Sequence, residues 1–406
     1  MPAPLPSPFR ALRHRNYRLF FFGQGTSLVG TWMQNIAQGW LVLELTNSAF
    51  WVGLVSALTS LPILAGSLPA GVVVDRVNKH RLVILTQALS ALQAAALAAL
   101  IWTHRIALWQ VAVIAVFLGM INAVDTPARQ AFMVELVGKD DLVNAIALNS
   151  SAFNGARVLG PSLAGVLISV VGLGWCYCLN AVSYLAVIWG LVEMRLPPFV
   201  RAPRRGGGWA EFREGARFVR GDRRVLALVS LIGIVSIFGF PYLVLMPVFA
   251  RDELHVGAAG LGFMMAATGV GAVVAALGLA AFESRVPKGR VLLWTGPVFG
   301  LAVALFAVNP WFPLALVILP VTGGAMILNN AVTNTLLQTI VPDQLRGRVM
   351  GVYAFTFLGM APFGAFQAGW LAEHLGAPVA VALGGLACVL ASLVIWRKVP
   401  EVPELK

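Results

Sequence analysis

Gly71-Val-Val-Val-Asp-Arg-Val-Asn-Lys-His-Arg81 is a short charged break between two long apolar runs. It carries Asp75, Arg76, Lys79 and Arg81 in a chain where only 11% of residues are charged. The 406 residues are 59% hydrophobic, with a mean hydropathy of +0.82. A soluble domain is nearer half apolar and a quarter charged. So little polar surface cannot cover a water-soluble globule of this size, and the composition points to an all-α membrane protein crossing the bilayer many times. A spanning helix needs about 20 mostly apolar residues. Gly and Pro are tolerated there because neighbouring helices satisfy the freed backbone groups.

Working outward from that break, apolar runs fall at about 19–43, 50–73, 82–103, 108–131, 143–171 and 175–194, then at about 225–249, 258–281, 291–308, 313–338, 348–371 and 377–396. The expectation is 12 transmembrane helices in two pseudo-symmetric six-helix halves, residues 1–195 and 223–406, joined by a cytoplasmic basic linker over 196–222. Trp209 to Val219 of that linker reads as a surface helix with Trp209, Phe212 and Phe218 facing lipid. Asn122-Ala-Val124 recurs as Asn330-Ala-Val332, which fits two related halves. The first run is too long for a signal-peptide core and lacks a clear cleavage site, so it reads as a retained span.

Charge placement orients the chain. With the amino terminus inside, 26 of the 29 Lys and Arg residues fall on the inner side. Arg105 and Arg251 fall outside, and Arg157 lies within a span. This follows the positive-inside rule and puts both termini in the cytoplasm. The net charge of +12 is therefore a topology signal and not a nucleic-acid footprint. The three cysteines form no disulfide framework, the five histidines show no metal-ligand spacing, and no cofactor is expected. No Gly-x4-Gly-Lys-Ser/Thr phosphate loop is present. Only Asp140-Asp141 resembles the acid cluster that a polytopic membrane enzyme would need, so an enzyme is not expected.

The Gly71–Arg81 stretch resembles the signature loop between spans 2 and 3 of the major facilitator superfamily, Gly-x-Leu-Ala-Asp-Arg-x-Gly-Arg-Lys. Gly71, Asp75, Arg76 and Lys79 match; Val73 and Val74 replace Leu and Ala, and Asn78 replaces the second Gly. The resemblance implies a latch that holds the cytoplasmic ends of the two halves together. Asp125, near the inner end of span 4, is its natural partner, and we read it as a salt-bridge latch with Arg76 or Arg129 rather than as a proton carrier. The matching stretch of the second half, Gly278 to Arg290, is degenerate, so the latch is asymmetric. Span 5 holds Ala156-Arg-Val-Leu-Gly-Pro-Ser-Leu-Ala-Gly165, which resembles the antiporter signature of the same superfamily. Gly160, Pro161 and Gly165 match, Ala156 and Ala164 replace glycines, and small residues let helices approach closely. The phrases Phe9 to Phe20 and Asp125-Thr-Pro-Ala-Arg-Gln130 bring the resemblance closest to the enterobactin-exporter and macrolide-efflux branch. That branch implies proton-driven export.

Polar residues inside spans are candidates for a cavity. Arg157 lies 16 residues past Asp141, about 24 Å along a helix and so near the bilayer centre. A central Arg is costly in a bilayer and needs a cavity or a partner. Ser150, Asn154, Arg157 and Pro161 share one helical face. Gln24, Thr31, Asn35 and Gln38 form a stripe on span 1, with Gln34 beside it; Asn330 and Asn334 on span 10 and Gln367 on span 11 add amides. Such amides either glue helices or line a wet cavity. The superfamily's span 4 Arg is missing, where Ala115-Val-Phe-Leu-Gly119 stands. The expected function is secondary active export of a siderophore, drug or hydrophobic metabolite by a monomer in the bacterial inner membrane, with small-molecule substrate, protons and lipid as partners. An importer or uniporter of the same fold is the alternative.

Overall fold

Eleven helices among the described residues are long and apolar enough to cross a membrane. The computed structural model describes residues 9–74, 76–196, 208–282 and 287–405. After a 3-10 turn (Arg10–Arg13), the helices are α1 (Arg15–Thr46), α2 (Ala49–Val74), α3 (Lys79–Trp102), α4 (Leu108–Val137), α5 (Leu142–Val170) and α6 (Leu173–Val192). They continue with α7 (Gly208–Gly221), α8 (Arg223–Glu253), α9 (Gly257–Phe282), α10 (Lys288–Val308), α11 (Phe312–Ile340), α12 (Asp343–Leu375) and α13 (Ala377–Lys398). The short α7 and the long α1 are the two outside the eleven. α1 is long enough to span, but Arg15, Arg18 and Glu44 and a row of amides make it more polar than its neighbours.

Chain reversals use residues that tolerate left-handed backbone. Gly172 (φ 93°) and Gly376 (φ 87°) end two of them, and Asn47 (φ 50°) occupies a third. Asn78 caps α3 by accepting from the Arg81 amide, and Asp222 caps α8 by accepting from the Arg224 and Val225 amides. α8 is not uniform. Val235–Gly239 and Phe249–Glu253 wind as π-helix on either side of Pro241 and Pro247. In α12 the helix breaks at Met360, just before Pro362, which has no amide hydrogen to give.

The chain forms two compact units. The first comprises Met1–Ala37 and Ala65–Arg205, the second Gln38–Leu64 and Gly206–Lys406. In the first unit α3 packs on α6 and on α4. Tyr17, Phe20, Val83, Phe132 and Leu191 fill the core near the ends of these helices. In the second unit α10 packs on α13 and on α11, repeating that pattern of partners.

α7 is an amphipathic helix, but its aromatic face does not all point at lipid. Phe212 meets the Phe355 ring edge-on at 5.1 Å, Val219 is buried, and Glu214 pairs with Arg348 of α12. Trp209 stays exposed and stacks on Phe212. The reason is Gly215, which lets α7 lie against the Arg348 backbone. Two of the three aromatics expected to face lipid, Phe212 and Phe218, are therefore half-buried.

Candidate functional site

The charged centre of the first unit is Asp125. It is the one buried acid among the described residues. Its Oδ1 accepts hydrogen bonds from Thr86 Oγ1 at 2.6 Å and Gln87 Nε2 at 3.0 Å, both on α3. Its Oδ2 lies 2.6 Å from Arg129 Nε, one turn along α4. Every carboxylate oxygen is thus engaged, which burial of a charge demands. The ion pair is internal to α4, and the two hydrogen bonds tie α4 to α3. Arg76 is exposed, so of the two partners expected for Asp125 the structure brings in Arg129.

Arg129 also walls a cleft of about 210 Å³ between α1, α4 and α5. Gln24, Gln130, Asn149 and Phe153 line it as well. Gln24 is buried, and its Oε1 has no hydrogen-bond partner among the described residues. The polar face drawn through Ser150 and Asn154 does not pick out Gln130 or Asn149. The signal that finds Asn149 is its i, i+4 spacing with Phe153, which places both on one face of α5.

A second polar cluster is fully buried. Gln34 of α1 donates to Gln93 of α3 at 3.1 Å and accepts from Asn180 of α6 at 2.6 Å. Ser183 completes it by donating to Asn180 Oδ1 at 3.1 Å. Gln34, which the sequence places only beside the polar stripe, is therefore the hub of a three-helix amide knot. Thr31 sits 3.2 Å from the Tyr184 hydroxyl, while Asn35 is exposed. Gln38 donates to Thr59 at 3.2 Å within the second unit.

On α5, Asn154 spends its amide on the Ser150 carbonyl at 2.8 Å. The Arg157 guanidinium carbon stands 5.8 Å from the centre of the Trp32 ring, within cation–π range. Gly160 is the tightest point of the span 5 signature. A Cβ there would lie 2.5 Å from Trp32 Cβ, 2.7 Å from Val29 O and 3.0 Å from Met33 N. Ala156, Pro161, Ala164 and Gly165 are buried on the same side of α5.

In the second unit Asn330 is half-buried with an unpartnered Oδ1, Asn334 accepts from Gln338, and Gln367 is half-buried. The buried Asn329 and Thr333, one turn apart, add unpartnered polar atoms. The end of α2 that faces α12 is locked in this unit. Ser48 Oγ donates to Glu373 at 2.9 Å, and Gly53 and Gly369 bring the two backbones into contact. In the signature loop, Asp75 lies outside the described residues; Gly71 is within α2, and Arg81 is exposed in the first turn of α3. Lys79 pairs with Glu135 of α4 at 2.7 Å.

At the start of α5, Asp141 accepts a hydrogen bond from His14 at 2.7 Å and pairs with Arg10. The His14 hydrogen bond holds its carboxyl below the usual range; burial opposes the shift and Arg10 reinforces it.

The sequence pattern of the transmembrane secretion effector family matches residues 6–406. The chain belongs to that family. It is a membrane transporter of the major facilitator class and not an enzyme. It is 28% identical over 369 residues to the multidrug efflux pump Tap of Mycolicibacterium fortuitum, covering 88% of this chain and 89% of that protein. It is 24% identical over 400 residues to the enterobactin exporter EntS of Citrobacter koseri, covering 96% and 95%. Among solved structures it resembles a bacterial homologue of the human lysosomal transporter Spinster, with a TM-score of 0.71 at 14% identity over 98% of this chain and 97% of that one. It also resembles a POT family transporter, with a TM-score of 0.76 at 11% identity over 96% of each chain. These two likenesses speak for the fold alone.

Proposed function

We propose that this transporter exports a small organic molecule, a hydrophobic drug or a siderophore, by alternating access in exchange for protons. The observation that carries the reading is the pair of buried Asp125 and half-buried Arg129 at the wall of the Gln24–Asn149 cleft. Asp125, expected from the sequence as a salt-bridge latch, is also the one buried carboxylate of the described residues, and on that ground we give it the proton as well. Protonating it would end the ion pair and free the Arg129 guanidinium to turn toward the cleft. Proton binding and the charge presented to the cleft would then be coupled through one centre.

In this reading twelve spans form two six-helix halves that rock about a cavity near the midplane. The strong inward bias of Lys and Arg supports cytoplasmic termini in a bacterial inner membrane. Gly71, Asp75, Arg76 and Arg81, with Asp125 and Arg129, serve as the cytoplasmic latch. Arg157 draws anionic parts of the cargo, with Thr31, Asn35, Gln38, Asn154, Asn330, Asn334 and Gln367 as further polar lining. A monomer is sufficient for this cycle. The relatives named for multidrug and enterobactin efflux support the direction and the cargo class.

Everted vesicles test the proposal. They should accumulate a labelled drug or siderophore when acidified inside, and an uncoupler should abolish the uptake. Asp125→Asn keeps an oxygen for Thr86 and Gln87 but removes the charge. It should stay folded and lose the proton-driven component. Full uncoupler-sensitive uptake by this variant would remove Asp125 from coupling; uptake only by intact cells would reverse the direction.

A further inference from the structure

The amino-terminal end of α8 and the carboxyl-terminal end of α13 meet in the second unit. Between them runs a groove of about 420 Å³, lined along its length by Leu226, Ala227, Val394 and Ile395. Arg223 and Lys398 stand at its mouth. Both are exposed, and among the described residues neither makes an ion pair. The nearby acids do not cancel them. Asp222 is taken by Arg224 at 3.1 Å and by the first amides of α8. Glu401 lines the adjoining cleft with Phe218, Arg223 and Arg224, where its field acts on Arg224, and among the described residues it makes no ion pair.

A largely apolar surface groove, with two cations at its mouth that make no ion pair among the described residues, has the chemistry of one ligand class. We infer that it holds an anionic phospholipid, with the phosphate between Arg223 and Lys398 and one acyl chain lying along Leu226 and Val394. Those two side chains are 40% and 48% exposed, so the groove floor is presented to lipid and not sealed by protein. The α8 amides are already capped, so the two side chains, not the helix end, select the charge. A zwitterionic lipid would place its own cation beside Arg223 and Lys398 and lose the advantage. The inference does not depend on the direction of transport or on its coupling.

The test uses the purified full chain in detergent, with phosphatidylglycerol and phosphatidylcholine of identical acyl chains, read by native mass spectrometry and by thermal shift. The wild type should retain phosphatidylglycerol in preference. R223Q/K398Q should bind it about 25-fold more weakly, at roughly a fivefold loss per cation near a membrane surface. Val394→Trp fills the groove without touching charge and should weaken both lipids. Glycerol phosphate, a headgroup without chains, should not compete. Equal retention of both lipids by the wild type, an unchanged preference in R223Q/K398Q, or displacement by glycerol phosphate would each overturn the assignment. The double variant must melt with the wild type in lipid-free detergent; if it does not, Val394→Trp decides the matter, and undiminished retention of phosphatidylglycerol by that variant would overturn the assignment.

Discussion

Gly160→Ala adds a single methyl group, and the packing around it fixes where that group would go. The new carbon would sit 2.5 Å from Trp32 Cβ, 2.7 Å from Val29 O and 3.0 Å from Met33 N. Two of those atoms are backbone of α1 and cannot rotate away. Ordinary contacts begin near 3.4 Å, so α1 and α5 must separate by roughly half an ångström to an ångström. Overpacking of this kind costs about 1–3 kcal/mol. Against it stands the gain of about 1 kcal/mol when Gly becomes Ala in a helix. Gly155 supplies the control on the same helix, because nothing lies within 4 Å of a Cβ built there. Gly155→Ala should therefore hold or raise the melting temperature, while Gly160→Ala should lower it by a few degrees. Melting is followed by fluorescence-detected size exclusion of the detergent-solubilised protein. Transport should fall further in Gly160→Ala if α1 and α5 move against each other during the cycle. Equal melting of the two variants would refute the claim that this contact is set by backbone approach.

Asp125→Ala leaves the half-buried Arg129 and the Thr86 and Gln87 donors without their anion and should cost about 1–3 kcal/mol, read as lost melting temperature; an Asp125→Ala/Arg129→Leu pair should recover part of it. Gln34→Leu strands the Asn180 and Gln93 amides and should cost about 1–2 kcal/mol, and adding Gln93→Leu should cost less than the two single changes together. Asp141 has a lowered pKa in the folded chain. Its contribution is therefore present above the ordinary carboxylate range, near pH 3.9, and is lost as pH falls through the lowered value. Amide exchange over Ala11–His14, corrected for intrinsic rate, should rise in that acid window, and Asp141→Asn should abolish the pH dependence.

Some of the site is legible in the chain because its partners are neighbours there. Arg129 lies one helical turn from Asp125, and the small residues from Gly160 to Gly165 declare a close helix contact by their spacing. The amide knot is not legible. Gln34 meets Gln93 and Asn180 across separations of 59 and 146 residues. No periodicity on one helix reports which face of another it will meet. The lone amides Gln93 and Asn180 in apolar spans are the available signal. The α7 aromatics mislead for a similar reason: their spacing says that one face of the helix is apolar, but not whether lipid or Phe355 covers it.

The sequence alone determined that the chain is a polytopic helical membrane protein, roughly where its helices lie, and which signature loop it carries. These are properties of composition and local spacing, which need no knowledge of what lies across a helix. The tertiary structure alone decided that Asp125 is bound to α3 as well as to Arg129, that Gln24 and Asn149 face one cleft, and that Arg223 and Lys398 flank one groove. Each joins residues distant along the chain. Side-chain packing selects such pairs, and a one-dimensional pattern does not encode it.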